Sequence, residues 1–456
     1  MVFSSLIFIF RFLPIFIIVY FITSPKYKNL ILLVFSLLFY SFGEPKYFPL
    51  MIASILVDYF VSIAIEDNFN NKIKCRLLLM ISVFFNIGML FFFKYFNFFI
   101  DNINIIFSTS FNELTLSLPL GISFYTFQTL SYTIDVYMGK IKAERNIIDF
   151  GAFVSSFPQL IAGPIVKYTD INKEIKKRSF NFDNIEIGLE EFVIGLGKKV
   201  LIANNIGMLW NEIYSKSINE ISMPLAWIGI LAFSFQIYFD FSGYSSMAIG
   251  LGKILGFNFP TNFHFPYTSR SISEFWRRWH ITLGSWLKEY VYIPLGGNRG
   301  GKTRLFFNLL ILWFLTGFWH GAEYTFILWG IYFFILIYIE KIFLYKLLES
   351  KRIFSHIYTC FFLLIGWAIF AIDKMDLLVI YLRRMFSFNF TFDWIYYLNN
   401  YILVFAICFL CSTPLILKLY MKMNKFLKSI VIITIFLLSI AYLVDSTYNP
   451  FLYFRF

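Results

Sequence analysis

Charged side chains are scarce in this sequence, because Asp, Glu, Lys and Arg together make up only 14% of its 456 residues. A soluble globular domain carries roughly 25% charged residues, so the composition excludes that class of protein. Hydrophobic residues reach 59%, aromatic residues reach 22%, and the mean hydropathy is +0.70. These values predict a polytopic protein embedded in a lipid bilayer.

Cysteines are few, and the common cofactor motifs are absent. Cys75, Cys360, Cys408 and Cys411 are dispersed, which indicates neither a disulfide framework nor a metal-binding cluster. The sequence has no HExxH zinc motif, no P-loop, no GxSxG nucleophile elbow and no dinucleotide-binding fingerprint. The glycine-rich segment 296–301 lacks the Lys-Ser/Thr pair of a P-loop and is typical of a tight turn or an anion-binding nest. The sequence therefore predicts no metal and no bound cofactor.

Apolar runs are abundant along the whole chain. They are about 17 to 25 residues long, which is enough to cross a bilayer of about 30 Å at about 1.5 Å per residue. About ten to thirteen such runs follow one another, and the one near 223–256 is long enough to form one helix or a broken pair. The pattern predicts an all-α fold of transmembrane or re-entrant helices, organised as a single membrane domain over residues 1–456.

The net charge of +12 resides in short loops between the apolar runs. Because cytoplasmic loops retain Lys and Arg, this distribution is explained without a nucleic acid partner. The four lysines between 418 and 428 lack acidic neighbours and predict a cytoplasmic loop, as does the basic stretch 270–304. Counting membrane crossings from these loops predicts that the C-terminal tail, residues 445–456, lies outside the cytoplasm.

Only four histidines occur in the chain, and two of them, His280 and His320, lie in tryptophan-rich motifs. A neutral imidazole can accept and return a proton near neutral pH, so these two are the candidate catalytic residues. His280 lies in the predicted cytoplasmic stretch, whereas His320 lies about 22 Å along a helix that starts near residue 305. The alternatives are a histidine that braces the following helix at 280 and a buried structural histidine at 320.

Two polar residues interrupt a long apolar run. Gln236 and Asp240 lie in the segment QIYFDFSG, where a lipid-facing helix would not carry them. Polar side chains inside apolar segments face a protein interior or a cavity, so both are candidate substrate-binding or donor-binding residues. A structural polar pair that fixes helix packing is the alternative.

Two long motifs resemble a known family. SEFWRRWHITLGSWLKEYVYIPLGGNR at 273–299 and TGFWHGAEYTFILWG at 316–330 are similar to the signature of the membrane-bound O-acyltransferase (MBOAT) family. Within it, they resemble the bacterial branch that O-acetylates exported polysaccharides such as alginate and peptidoglycan. Segments 118–140, 157–168 and 236–276 also match that branch, so the resemblance covers most of residues 118–340.

The resemblance implies an acyltransferase of a bacterial cytoplasmic membrane, with a tunnel in which a cytoplasmic donor, acetyl-CoA, meets an acceptor from outside. His320 matches the main family histidine and His280 the second family position. Trp276, Arg277, Arg278 and Asn298 would shape or charge the cytoplasmic mouth, where a donor with phosphates would dock. The expected acceptor is a cell-envelope or exported polysaccharide: peptidoglycan first, alginate or another exopolysaccharide second.

The tail segment FLYFRF at 451–456 resembles a C-terminal F-[IL]-Y-x-x-F motif of envelope acylation systems. The resemblance implies that Tyr453 carries the acyl group as an ester before a separate extracytoplasmic acetyltransferase takes it. A phenol suits this role, because its anion leaves more readily than an alkoxide and a neighbouring base can activate it. An aromatic anchor at the membrane interface is the alternative.

Two other functions stay open at this point. The acyl group could be D-alanine or another acyl group, although the D-alanine-exporting relatives lack the YIPLGGNR continuation. The chain could also be a non-enzymatic transporter of the acyl donor, with its histidines in a proton relay. Covalent labelling separates these classes, because a transporter never acquires an acetyl ester.

Overall fold

A computed structural model describes residues 2–161, 163–216, 218–445, 448–450 and 452. The described residues are helical and include no strand, which confirms the predicted all-α class. Their α-helices, in chain order, are α1 (Leu13–Ile22), α2 (Lys28–Gly43), α3 (Phe48–Asp67), α4 (Lys72–Leu90), α5 (Phe96–Phe107), α6 (Ile122–Tyr137), α7 (Ile147–Ser155), α8 (Phe157–Leu160), α9 (Tyr168–Lys176), α10 (Phe182–Gly197), α11 (Asn204–Ser215), α12 (Met223–Ile254), α13 (Ile272–Arg278), α14 (Ile281–Leu287), α15 (Gly301–His320), α16 (Tyr324–Ile339), α17 (Tyr345–Ser350), α18 (Arg352–Ala371), α19 (Met375–Met385), α20 (Asp393–Cys411), α21 (Pro414–Lys422) and α22 (Lys425–Asp445). Short π-helical segments lie at Phe8–Phe12, Phe91–Tyr95, Lys198–Ala203, Lys288–Tyr292 and Glu340–Leu344, and 3₁₀ turns lie at Pro25–Tyr27 and Pro266–Thr268.

Over the described residues, eight helices are long and apolar enough to cross a membrane, judged by length and composition. They are Phe48–Asp67, Lys72–Phe107, Phe182–Ser215, Met223–Ile254, Tyr324–Ser350, Arg352–Ala371, Asp393–Cys411 and Lys425–Asp445. The predicted polytopic character is therefore confirmed. Other apolar runs of the sequence form shorter helices, such as α2 and α6 with 16 residues each, and the run near 223–256 forms the single helix α12.

The chain forms two compact units, Met1–Phe192 with Ser245–Pro260, and Val193–Tyr244 with Thr261–Phe456. In the first unit, Asp58 is a buried carboxylate within the apolar helix α3. Asp58 accepts hydrogen bonds from Ser82, from Asn86 Nδ2 at 2.8 Å and from Thr133 Oγ1 at 3.0 Å. Because its oxygens are satisfied by neighbouring helices, this residue fixes helix packing. The organisation as a single domain over 1–456 stays a prediction.

In the second unit, α15 and α16 approach closely through two glycines. A Cβ at Gly317 would lie 2.3 Å from the backbone oxygen of Phe326, and a Cβ at Gly330 would lie 2.4 Å from that of Trp313. Only glycine leaves room for backbones at this distance, as in other packed membrane helices. The close approach fixes the C-terminal end of α15, which carries His320, against α16.

The N-terminus of α13 is held by two carboxylates of the same unit. Ser271 Oγ, at the N-cap, accepts from the backbone N–H of Glu274 at 2.9 Å, and the Glu274 carboxylate accepts from the backbone N–H of Arg270, the residue before the cap, at 2.9 Å. The buried carboxylate of Glu340 accepts from the N–H groups of Ile272 and Ser273 at 2.6 and 2.8 Å. These contacts satisfy the free donors of the first turn and fix a helix that bears Trp276.

Candidate active site

His320 is the last residue of α15 and is buried, with 8% of its surface exposed. Its ring contacts Trp319, Trp329 and Phe370 edge-on, at centroid distances of 5.0, 5.1 and 5.2 Å. The helix ends here because Gly321 adopts an extended backbone, where a Cβ would lie 2.3 Å from the ring of Phe326. The side chain thus faces the protein interior, and its aromatic neighbours restrict the orientation of the imidazole.

His280 lies in the left-handed backbone region, with φ of 45°, directly before α14. Although the sequence assigns it to a loop, only 3% of its surface is exposed. Its Nδ1 lies 3.2 Å from Asn262 Oδ1. The same oxygen accepts from the backbone N–H of Thr282 at 3.2 Å, so it is an acceptor and His280 Nδ1 must carry the proton. The second ring nitrogen, Nε2, is then the basic one.

The environment of His280 keeps its imidazole neutral. Burial lowers the pKa of His280 from 6.5 to about 3, because the surroundings disfavour the charged form. Phe241 packs edge-on against the ring at a centroid distance of 4.7 Å. Within the described part of the chain, Nε2 has no hydrogen-bond partner. The arrangement therefore presents a neutral imidazole whose basic nitrogen is available to a ligand.

The two histidines line one cavity of the second unit, which we call the His280 cavity. Its walls include His280, His320, Trp276, Trp279, Trp313 and Thr316. The ring of Trp319 lies between the imidazoles, at centroid distances of 6.3 Å from His280 and 5.0 Å from His320. The two residues singled out from the sequence are thus brought together by the fold.

A second cavity of the same unit, which we call the Leu452 cavity, shares three walls with the first. It is lined by His320, Trp276, Trp279, Asp240, Phe241 and Leu452, among others. His320, Trp276 and Trp279 are common to both cavities. His320 therefore lies on the wall between the two cavities.

Gln236 and Asp240, the polar residues predicted to bind substrate or donor, contact the C-terminal tail. Asp240 is 2% exposed, accepts from the backbone N–H of Leu452 at 2.9 Å and pairs with Lys199 at 2.6 Å. Gln236 Nε2 donates to the hydroxyl of Tyr448 at 3.4 Å. Tyr453 itself lies outside the described residues, so its predicted role is not tested by the structure.

The residues predicted at the cytoplasmic mouth lie in different surroundings. Trp276 lines both cavities. Arg277 is exposed on α13, whereas Arg278 pairs with Glu274 at 2.6 Å. Asn298 is exposed and accepts from the hydroxyl of Tyr292 at 2.5 Å. Docking of a donor by these residues stays a prediction.

Sequence reasoning missed two residues of the site, Lys199 and Asn262. Lys199 lies next to another lysine in an apolar run, and its side chain is 2% exposed inside a helical span. A lysine within an apolar run, with Asp240 as a candidate counter-charge in another run, was the available signal. Asn262 lies in a segment without periodicity, and nothing in the sequence indicates that it orients His280.

Comparison with known proteins identifies the family. Residues 141–373, just over half of the chain, match the family described as MBOAT, membrane-bound O-acyltransferase family. The chain is 40% identical to a probable alginate O-acetylase of Pseudomonas syringae pv. tomato, over 86% of this chain and 76% of that protein. It is 38% identical to a peptidoglycan O-acetyltransferase of Helicobacter pylori, over 85% and 80%. A more distant relative is a teichoic acid D-alanyltransferase of Bacillus subtilis, 29% identical over 55% of this chain and 68% of that protein.

The matched region includes the helices that carry both histidines, and the two relatives of higher identity cover most of the chain. With its eight apolar helices, the chain belongs to the membrane-bound O-acyltransferase family and is a multi-pass acyltransferase of a bacterial inner membrane.

Proposed function

We propose that this acyltransferase moves acetyl from cytoplasmic acetyl-CoA across the membrane for O-acetylation of a cell-envelope or exported polysaccharide. The observation that carries the proposal is the position of His320, which lines both the His280 cavity and the Leu452 cavity. A donor thioester in the first cavity and an acceptor hydroxyl in the second would then meet at one imidazole. This arrangement supports acyl transfer with a general base.

His320 is the proposed base and Tyr453 the proposed acceptor. The phenol passes its proton to the imidazole of His320, and the phenolate oxygen attacks the thioester carbonyl carbon. The carbon–sulfur bond then breaks, and the leaving thiolate takes the proton back from the imidazolium. The products are an acetyl ester on Tyr453 and free coenzyme A thiol. The location of Leu452, the residue before Tyr453, in the same cavity as His320 supports this assignment.

Trp276 is proposed to bind the carbonyl oxygen of the donor. It lines both cavities, and its indole nitrogen is buried without a hydrogen-bond partner among the described residues. A hydrogen-bond donor aimed at an oxygen that gains negative charge in the transition state lowers the activation barrier of acyl transfer. Trp276 also packs against Trp313, Trp329 and Phe333, so the direction of its N–H is fixed before the donor binds.

His280 is proposed as the second proton-transfer group. Its protonated Nδ1 faces Asn262, which leaves the basic Nε2 for the donor or for a water molecule in the His280 cavity. Arg277 and Arg278 are proposed to attract the phosphates of acetyl-CoA on the cytoplasmic side, because cationic side chains bind phosphate well. Asn298 is proposed to shape the same mouth.

The acetyl group is proposed to pass from this protein to a separate extracytoplasmic acetyltransferase, which delivers it to the polymer. The names of the relatives at 40% and 38% identity, an alginate O-acetylase and a peptidoglycan O-acetyltransferase, support a polysaccharide acceptor. Peptidoglycan is the first candidate, and alginate or another exopolysaccharide is the second.

The proposal is tested by His320→Ala, with His264→Ala as the matched control, because His264 is exposed and lines neither cavity described above. The readout is ester-linked acetate on purified wall polymer or exopolysaccharide, at equal amounts of protein in the membrane. His320→Ala should lower the acetate by roughly 100-fold or more, and His264→Ala should leave it unchanged. Wild-type acetate in a well-expressed His320→Ala variant would refute the assignment.

A further inference from the structure

Pro450 and Leu452 of the C-terminal tail are bound by a buried ion pair. Lys199 and Asp240 lie 2.6 Å apart, with 2% and 3% of their side chains exposed. Removing two charges from water is costly unless their remaining hydrogen-bonding capacity is used. The pair therefore needs further partners, and it finds them in the tail.

The partners are backbone groups of the tail and the side chain of Asn204. Lys199 Nζ donates to the backbone oxygen of Pro450 and, at 2.9 Å, to Asn204 Oδ1. Asp240 Oδ2 accepts from the backbone N–H of Leu452 at 2.9 Å. The ammonium thus binds a carbonyl and the carboxylate binds an N–H two residues later, so the pair distinguishes the direction and the register of the bound chain.

Three amide side chains, those of Asn204, Asn211 and Gln236, bind the tail next to the ion pair. We call the ion pair and these three side chains the tail groove. Asn204 Nδ2 donates to Asn449 Oδ1 at 3.2 Å, and Asn211 Nδ2 donates to the hydroxyl of Tyr448 at 2.6 Å. Gln236 also contacts that hydroxyl, and a Cβ at Gly207 would lie 2.4 Å from its amide nitrogen, so glycine leaves room for the Gln236 side chain. Every described residue from 448 to 450, and residue 452, thus has a polar partner in the groove.

We propose that Lys199 and Asp240 form a positioning pair, which binds the backbone groups of Pro450 and Leu452 and thereby sets the register in which Tyr453 reaches His320. This inference rests on the proposed function, because it takes Tyr453 as the acyl acceptor. It assigns no chemistry to the pair. The two charges, Asp240 on α12 and Lys199 on the π-helical segment Lys198–Ala203, recognise the N–H and C=O groups of the tail backbone. This contact places the acceptor.

A charge swap separates this role from a purely structural one. Lys199→Asp with Asp240→Lys keeps an ion pair between the helices, but it presents a carboxylate to the Pro450 carbonyl and an ammonium to the Leu452 N–H. A pair that only holds helices together should tolerate the swap. A pair that binds the tail should not, and acetyl on the C-terminal peptide should fall at least roughly 10-fold.

A second variant covers the case in which the swapped chain does not fold. Lys199→Met with Asp240→Leu leaves no unpaired buried charge, and such replacements usually keep the folded state. The matched control is Lys140→Met with Asp135→Leu, which removes a pair of 3.0 Å with one buried member, on and just after α6 of the first unit.

Two measurements are made on each full-length protein in lipid nanodiscs: acetyl on the C-terminal peptide by mass spectrometry, and hydrogen exchange of the same peptide. Variants of Lys199 and Asp240 should lose acetyl from the C-terminal peptide. Their tail amides should exchange about 10-fold faster or more, because the tail can then detach by local unfolding at a low free energy. The control should match the wild type in both. Groove variants with wild-type acetyl and a protected tail would overturn the positioning role while leaving the acyltransferase proposal intact. A wild-type protein that never carries acetyl on this peptide would instead overturn the acceptor role of Tyr453, and the register role with it.

Discussion

Asn262 Oδ1 lies 3.2 Å from His280 Nδ1 and also accepts the backbone N–H of Thr282. Because one oxygen receives both groups, the tautomer of the imidazole is fixed, and Nε2 is the basic nitrogen. A side chain 18 residues away in sequence thus determines which atom of His280 can take part in proton transfer.

The burial of His280 predicts a pH dependence of stability. Its pKa is about 3 in the folded protein and 6.5 in the unfolded chain, so below pH 6.5 the unfolded state binds more protons. Stability is therefore present above the unfolded pKa and falls as the pH is lowered through it, by about 2 kcal/mol between pH 7.5 and pH 5.

This dependence is measured as the midpoint of thermal unfolding of detergent-solubilised protein at pH 7.5 and pH 5. The wild type should lose stability at the lower pH, and His280→Gln should lose clearly less. His264→Gln, at an exposed histidine, should follow the wild type. Equal acid sensitivity of His280→Gln and wild type would contradict the buried neutral imidazole.

The close contact of α15 with α16 predicts that alanine at position 317 destabilises the protein. Gly317→Ala would place a Cβ 2.3 Å from a backbone oxygen, and relief of this overlap should cost about 1 to 3 kcal/mol. The matched change is Gly88→Ala in α4, where a Cβ meets nothing within 4 Å and alanine favours the helix. Thermal stability of the two purified variants is the measurement, and equal stability would refute the packing described for α15.

Trp276→Phe tests the donor contact proposed for the indole. The change keeps an aromatic ring against Trp313 and Trp329 but removes the N–H. Loss of one donor aimed at a developing oxyanion lowers kcat by about 100- to 1000-fold, so acetyl transfer should fall in that range at saturating acetyl-CoA. Trp394→Phe, at a half-buried residue of α20, is the control. A Trp276→Phe variant as active as Trp394→Phe would remove the N–H from the mechanism.

The membrane orientation is a prediction from the basic loops that the structure does not test. Both ends of α22, Lys425 and Asp445, are exposed residues. Cysteines introduced there should react with a membrane-impermeant thiol reagent from opposite sides, Lys425→Cys from the cytoplasm and Asp445→Cys from outside. Labelling of both from one side would contradict the outside location of the tail.

The sequence predicted the all-α membrane class, because hydropathy is a local signal, and it singled out two histidines inside long motifs, which the fold brings to one cavity. It also identified Gln236 and Asp240 as residues that face a protein interior. It could not predict that they bind Tyr448 and Leu452, since each contact joins positions 212 residues apart. Lys199 was missed because its counter-charge, Asp240, lies in a different apolar run, and only the fold brings the two together.

Asn262 and the glycine contact of α15 with α16 were beyond sequence reasoning for the same physical reason. An acceptor for His280 Nδ1, or a backbone that passes within 3 Å of a missing Cβ, is a property of packing between segments. Neither leaves a periodic pattern in the segment that carries it.

The most direct test of the proposed mechanism is a search for acetyl on the phenolic oxygen of Tyr453. The C-terminal peptide is analysed by mass spectrometry after purified protein is incubated with acetyl-CoA in the absence of an extracytoplasmic transferase, for the wild type, His320→Ala and Tyr453→Phe. Tyr453→Phe keeps the ring and its packing and removes only the nucleophile. We predict an acetyl ester on this peptide in the wild type alone, with loss of polymer acetate in both variants. Full polymer acetylation by Tyr453→Phe, with no ester on the wild-type peptide, would contradict the account and return the tail to a role as an anchor.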